Sequence, residues 1–242
     1  MTTDQVPSAA ATTAATTAAS TTECFEVTAV AVDGPTAPGT GQPATVPTLT
    51  HALRTERLLL RPATAADTDA TWRFRRLPSV NEWLTGCPEN RDGYAALFND
   101  PDRLATTVIV ELGTADDSTR GVVIGDFMLR REHAWAQLEV AHNARAAQVE
   151  LGWVLDPTYA GHGYATEGVR ELLRYCFEEL DAHRVVANCF LANDASWRLM
   201  ERLGMRRETH AVRESLHRSG AWLDTVGYAL LADEWRPRSA SS

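Results

Sequence analysis

The stretch from Gln148 to Leu191 restricts the fold of this chain more than any other. Gln148–Leu155, QVELGWVL, reads as a strand closed by Asp156-Pro157. From Tyr164 the period changes: Ala165, Val169, Leu172, Leu173, Cys176, Phe177 and Leu180 recur at helical spacing, with charged residues between them. That helix ends near Asp181, and HRVVANCFL then reads as another strand. The strand and the helix are joined by YAGHGYATEG, Tyr159 to Gly168, with two glycines around one residue. A strand–glycine loop–helix–strand unit needs a sheet for its helix to cover, so the chain reads as α/β.

The flanking elements make that sheet a mixed one. RLLLRPATAAD reads as a strand ending at Pro62, followed by a helix capped by Thr64 or Asp67. TVIVEL, Thr107–Leu112, and GVVIGDFMLR read as a hairpin around the turn TADDSTRG. Asn193 is placed to cap a helix whose Ser196, Leu199, Met200 and Leu203 share a face, and Gly204 to stop it. Two last strands flank Arg218-Ser219-Gly220 and end in VGYALLADEW. Hairpins beside a crossover unit exclude an all-parallel sheet.

Residues 1–48 form a separate compositional zone. TTAATTAASTT is of low complexity and PTAPGTGQPATVP is a linker of Pro, Gly and Thr. Such a segment buries too little apolar surface to offset its ordering entropy, so a disordered tail is expected, with a short strand possible only in CFEVTAVAV. The folded domain is expected over 49–238. No run of about 18 apolar residues is present, and no basic residue precedes Arg54, so neither a membrane span nor a secretory signal is read and a cytoplasmic protein is expected. The net charge of −9 argues against nucleic acid or an anionic membrane as partner. All 23 basic side chains are arginine, which excludes a lysine nucleophile or Schiff base. Cys24, Cys87, Cys176 and Cys189 have no C-x-x-C spacing and no HExxH is present, so no metal site is expected.

The first turn of a helix exposes backbone N–H groups at the positive end of its dipole, and a glycine lets phosphate oxygens approach them. The glycine loop therefore has the chemistry of a pyrophosphate cradle. A dinucleotide fingerprint needs a third glycine where Thr166 stands and an acidic residue at the end of the next strand. A P-loop needs a lysine. Both fail here, and a plain tight turn stays open on these residues alone.

Gly161-His162-Gly163-Tyr164-Ala165-Thr166-Glu167 resembles the coenzyme A loop, [QR]-x-x-G-x-[GA], of the GNAT acyltransferase superfamily. Thr158 stands where that superfamily often has Gln or Arg, at a position that contributes partly through its backbone. Glu150-Leu-Gly-Trp-Val-Leu resembles the central strand of the RimJ/RimL-type branch, and Asn193-Asp-Ala-Ser196 with Met200-Glu-Arg-Leu-Gly-Met205 resembles its N-x-x-S…LGF pattern. Arg54 to Pro62 and Gly220 to Leu231 are similar to its first strand and closing hairpin, so the resemblance runs from about 53 to 235. It implies a GNAT fold: a central, mostly antiparallel sheet with splayed strands, flanked by helices.

The resemblance also implies a site. The pantetheine arm of acetyl-CoA would lie between the splayed strands against the backbone of Trp153, Val154 and Leu155. The pyrophosphate would lie on the N–H groups of Ala160, Gly161, His162, Gly163, Tyr164 and Ala165. Asn193 would bond the pantetheine amide, cap its helix, or do both. Glu150, on one strand face with Gly152 and Val154, is the candidate base; its alternative is an exposed strand residue or the partner of an arginine such as Arg145. Ser196 is the candidate acid toward the thiolate, or a residue that orients water. His162 occupies a variable position facing solvent or phosphate. Trp72, Trp83, Tyr94 and Phe98 lie in the region that would shape the acceptor pocket, with ordinary core aromatics as the alternative. The expected activity is acetyl transfer to a primary amine, from a protein N-terminus or a small molecule, by a monomer or homodimer. A non-catalytic acyl-CoA-binding module is the second reading.

Overall fold

The computed structural model describes residues 48–113 and 121–235. The tail up to residue 47, with CFEVTAVAV, and most of the turn TADDSTRG lie outside the described residues. Its strands are β1 Leu53–Arg54, β2 Leu58–Pro62, β3 Thr107–Leu112, β4 Val122–Glu132, β5 Gln148–Leu155, β6 Arg184–Phe190, β7 Arg206–Leu216 and β8 Trp222–Leu231. Its helices are α1 Thr68–Arg75, α2 Pro78–Asn81, α3 Arg91–Phe98, α4 Pro101–Thr106, α5 Tyr164–Glu178 and α6 Asp194–Arg202. The eight strands form one sheet in the order β1-β2-β3-β4-β5-β6-β8-β7. Every neighbouring pair is antiparallel except β5 and β6, which α5 connects. This is the mixed, mostly antiparallel sheet that the sequence implies.

Alternation along β5 sends Val149 and Leu151 to the face that α5 covers, where they join Val169, Leu172, Leu173 and Cys176 in the main core. Gly168 lets α5 sit close: a Cβ there would come within 2.7 Å of the Phe127 ring on β4. On the opposite face, Tyr94, Phe98 and Ile109 form a second buried cluster under α1 and α3. Burial pushes the Cys176 thiol well up and that of Cys189 to about 11, as suits small core residues.

The caps fall where the sequence places them. The Asp67 carboxylate accepts from Thr64 N at 2.8 Å and Thr64 Oγ1 at 2.9 Å; Asp67 holds the N-cap position of α1, with its side chain turned back to Thr64 rather than onto the helix. Gly204 ends α6 in the left-handed region at φ 84°. The helix expected to run to about Asp181 ends at Glu178; Glu179 N and Leu180 N both donate to Tyr175 O, and Asp181 turns the chain at φ 52°. Helices α2, α3 and α4 are not read from sequence. They are one or two turns long, too short to display an apolar period, and the caps Asn90 and Asp100 hold α3 and α4. No helix among the described residues is long and apolar enough to cross a membrane.

Candidate coenzyme and acceptor site

The parallel pair is short. Gln148, Val149 and Glu150 of β5 stand opposite Arg184, Val185 and Val186 of β6, and the register stops there. The outer edge of β5 stays paired with β4 as far as Leu155, and that of β6 with β8 as far as Phe190. The two strands therefore diverge, and among the described residues the inner edges of 151–155 and 187–190 have no strand partner and face a gap. Trp153, Val154 and Leu155, assigned to the pantetheine arm, lie on that open edge.

The glycine loop sits at the mouth of the gap. Asp156 anchors its start: its carboxylate accepts from Thr158 N at 3.0 Å and Thr158 Oγ1 at 2.7 Å, and pairs with Arg73 at 3.1 Å. Thr158 is thus turned to Asp156. Ala160 N, one of the amides expected to meet phosphate, donates to Pro157 O at 3.1 Å within the turn. Gly161 and Gly163 have φ of 80° and 81°, where a Cβ costs about 1–2 kcal/mol. The first helical bond runs from Glu167 N to Gly163 O, so the amides of Gly161 to Thr166 lie ahead of it, at the positive end of the α5 dipole. His162 is exposed, with Nδ1 2.9 Å from Ala160 O and its ring stacked on Tyr164 at 5.7 Å.

Glu150 occupies the last paired position before the strands part. Its partner is not Arg145 but Arg130, directly opposite on β4. Arg130 is shared with Glu132 at 3.0 Å. Across the gap, Asn188 Nδ2 donates to Glu150 Oε1 at 3.3 Å. The carboxylate is therefore oriented by β4 and β6 at the base of the gap, rather than standing beside bare apolar surface.

Asn193 caps α6: its Oδ1 accepts from Ser196 N at 3.4 Å. Ser196 lies half-buried in the first turn of that helix. Neither residue is joined to Glu150 by a hydrogen bond. Trp197 Nε1 donates to Leu191 O at 3.0 Å, and its ring lies beside the guanidinium groups of Arg198 and Arg207. Of the four aromatics expected at the acceptor region, Tyr94 and Phe98 are buried core residues and Trp72 stacks on Tyr94 at 5.3 Å. Trp83 alone reaches the gap side. It packs on Phe190 of β6 at 5.9 Å and on His217 at 5.4 Å, while His217 and Arg218 bond the carbonyls of Glu82 and Leu84.

Sequence reasoning missed Arg130, Asn188 and the Phe190–His217 wall. Only strand register places them near Glu150 and Trp83. The alternation along β6 that puts Asn188 and Phe190 on one face was the one available signal.

A family model described as an acetyltransferase (GNAT) domain matches residues 57–206. The chain is 40% identical over 86 residues to an uncharacterized N-acetyltransferase, YnaD, of Bacillus subtilis, covering 36% of this chain and 50% of that protein. It is 35% identical over 88 residues to a putative ribosomal N-acetyltransferase, YdaF, of the same organism, covering 36% and 48%. The chain thus spans about half the length of these curated relatives. Among solved structures, an acetyltransferase (GNAT family) from Bacillus anthracis matches with a TM-score of 0.63 at 27% identity, covering 76% of this chain and 99% of that one.

Proposed function

Because the chain belongs to the acetyltransferase (GNAT) domain family, we propose that it transfers an acetyl group from acetyl-CoA to a primary amine, of a protein N-terminus or of a small molecule. The observation that carries this reading is the parting of β5 from β6 beside a glycine loop that opens α5. An extended pantetheine arm carries amide groups that can pair with the open edge of β5. A pyrophosphate suits the amides from Gly161 to Ala165. Asn193 has an amide at the far end of β6, beside the path such an arm would take.

In the reaction the amine nitrogen attacks the thioester carbonyl, the C–N bond forms and the C–S bond breaks. The amine proton passes to Glu150, directly or through water, and the departing thiolate takes a proton, for which Ser196 in the first turn of α6 is the candidate donor. The acceptor would approach from the face of β6 that carries Asn188 and Phe190, along the wall formed with Trp83 and His217.

The pairing of Glu150 with Arg130 favours a second reading, in which this carboxylate is structural and the domain binds acyl-CoA without turning it over. One pair of measurements separates the two. Acetyl-CoA and free CoA at about 100 times their dissociation constants should each raise the melting temperature by roughly 5–10 °C, and NAD should not. Glu150→Gln should keep that shift and lose about 10²–10⁴ in turnover against a panel of amines. No shift with either CoA species rejects both readings. Full turnover in Glu150→Gln rejects Glu150 as the base.

A further inference from the structure

The residue just before β2 reaches the glycine loop. Arg57 Nε and Nη2 bind Glu167 Oε2 at 2.7 and 2.6 Å, while Arg57 N and Thr55 Oγ1 donate to Oε1 at 2.9 and 2.5 Å. Both oxygens of this first-turn carboxylate are thereby saturated. The remaining arm of the guanidinium, Nη1, donates to His162 O at 3.2 Å, inside the loop. The guanidinium carbon also lies 4.6 Å from the centre of the Tyr164 ring, and Nη2 is 3.7 Å from where a Gly163 Cβ would stand. One side chain thus touches the residue between the two glycines, the residue after them and the carboxylate of the first helical turn.

Two consequences follow from this geometry. Two left-handed glycines one residue apart are costly to order, and a bond to the carbonyl of the residue between them fixes the loop before any ligand arrives. Glu167 suits the dipole of α5, but its negative charge opposes an anion on the same helix end unless a cation covers it.

We propose that Arg57 is a positioning residue for phosphate binding at the glycine loop: it fixes the His162 carbonyl and masks the charge of Glu167, so that the loop accepts the pyrophosphate of coenzyme A. The inference rests on the coenzyme reading of the loop. Nothing in the coenzyme A loop pattern points to Arg57, which lies 110 residues from Glu167.

Calorimetric titration of the full chain with free CoA tests it. Wild-type protein that binds no CoA overturns the coenzyme reading itself, before any variant is made. Given wild-type binding, Arg57→Ala should raise Kd about tenfold, the loss expected from one charge-assisted contact, and the penalty should shrink as salt is added. The double variant Arg57→Ala/Glu167→Gln should recover roughly threefold of that loss, because the unmasked charge is gone. A purely structural arginine gives no such recovery. Should Arg57→Ala not fold, Arg57→Lys carries the test: it keeps the charge without the fork and should bind CoA more weakly than wild type. Wild-type affinity in a folded Arg57→Ala or Arg57→Lys, or a double variant no tighter than Arg57→Ala, overturns the proposal.

Discussion

Asp67 is nearly sealed from solvent, with Arg61 on one side and the turn at Thr64 on the other. Burial pushes its carboxyl up, but bonds from Arg61 and from Thr64 N and Oγ1 outweigh burial and hold it below the ordinary aspartate range. Glu167 is held down against burial in the same way by Thr55 and Arg57. A pKa lower in the folded than in the unfolded chain gives stability that is complete above the unfolded value, about 4, and is lost as pH falls through the folded one. Melting temperature should therefore fall on acidification below about pH 5, more shallowly in Asp67→Asn. At pH 7 that variant should be less stable by about 3 kcal/mol, because Arg61 is left buried beside Glu111 alone. Thermal melts across pH check both effects; an equally steep acid limb in the variant would remove Asp67 from the account. At this scale the sequence is legible where residue type speaks for itself: paired glycines at a helix start, a carboxylate on a core strand, an asparagine at a cap. It is silent where the partner is distant. Glu150 meets Arg130 through strand register, and Glu167 meets Arg57 where the start of α5 packs beside the start of β2; spacing shows neither.

The elements were readable in proportion to their length. The long β5–α5–β6 unit shows its periods plainly, whereas α2, α3 and α4 are pieces of four to eight residues whose form depends on what they pack against. The seat of α5 is the consequential detail. In an exposed helix, Gly→Ala adds about 1 kcal/mol of stability. At Gly168 the added methyl meets the buried Phe127 ring, and overpacking of this kind costs about 1–3 kcal/mol. Gly168→Ala should thus be destabilised in urea unfolding, and CoA binding should weaken as α5 and its loop are pushed off the sheet. Unchanged or increased stability would mean that Phe127 yields.

For the whole molecule, the sequence marks a compositional boundary near residue 48, and the first described residues belong to the body. Thr48 and Leu49 are buried, Thr48 N donates to Ala105 O at 3.3 Å, and Tyr175 Oη donates to Thr48 O at 3.1 Å. We propose that the domain starts at Thr48. Removing residues 1–47 should leave the melting temperature nearly unchanged, and removing Thr48 and Leu49 as well should lower it by several degrees. A large drop on the first cut would mean that the preceding segment contributes to the fold.

The parting of β5 from β6 has a cost in handling and storage. Most sheets have two edges, guarded by charge, by bulges or by short strands. Among the described residues this one adds two inner stretches to its outer edges, 151–155 and 187–190, with apolar side chains among them. Unpaired strand backbone of this kind is a template for any extended chain, including a second copy of this one in a partly opened state. Protein purified without coenzyme should clump faster on standing than protein kept with it, and the difference should show in light scattering well below the melting temperature.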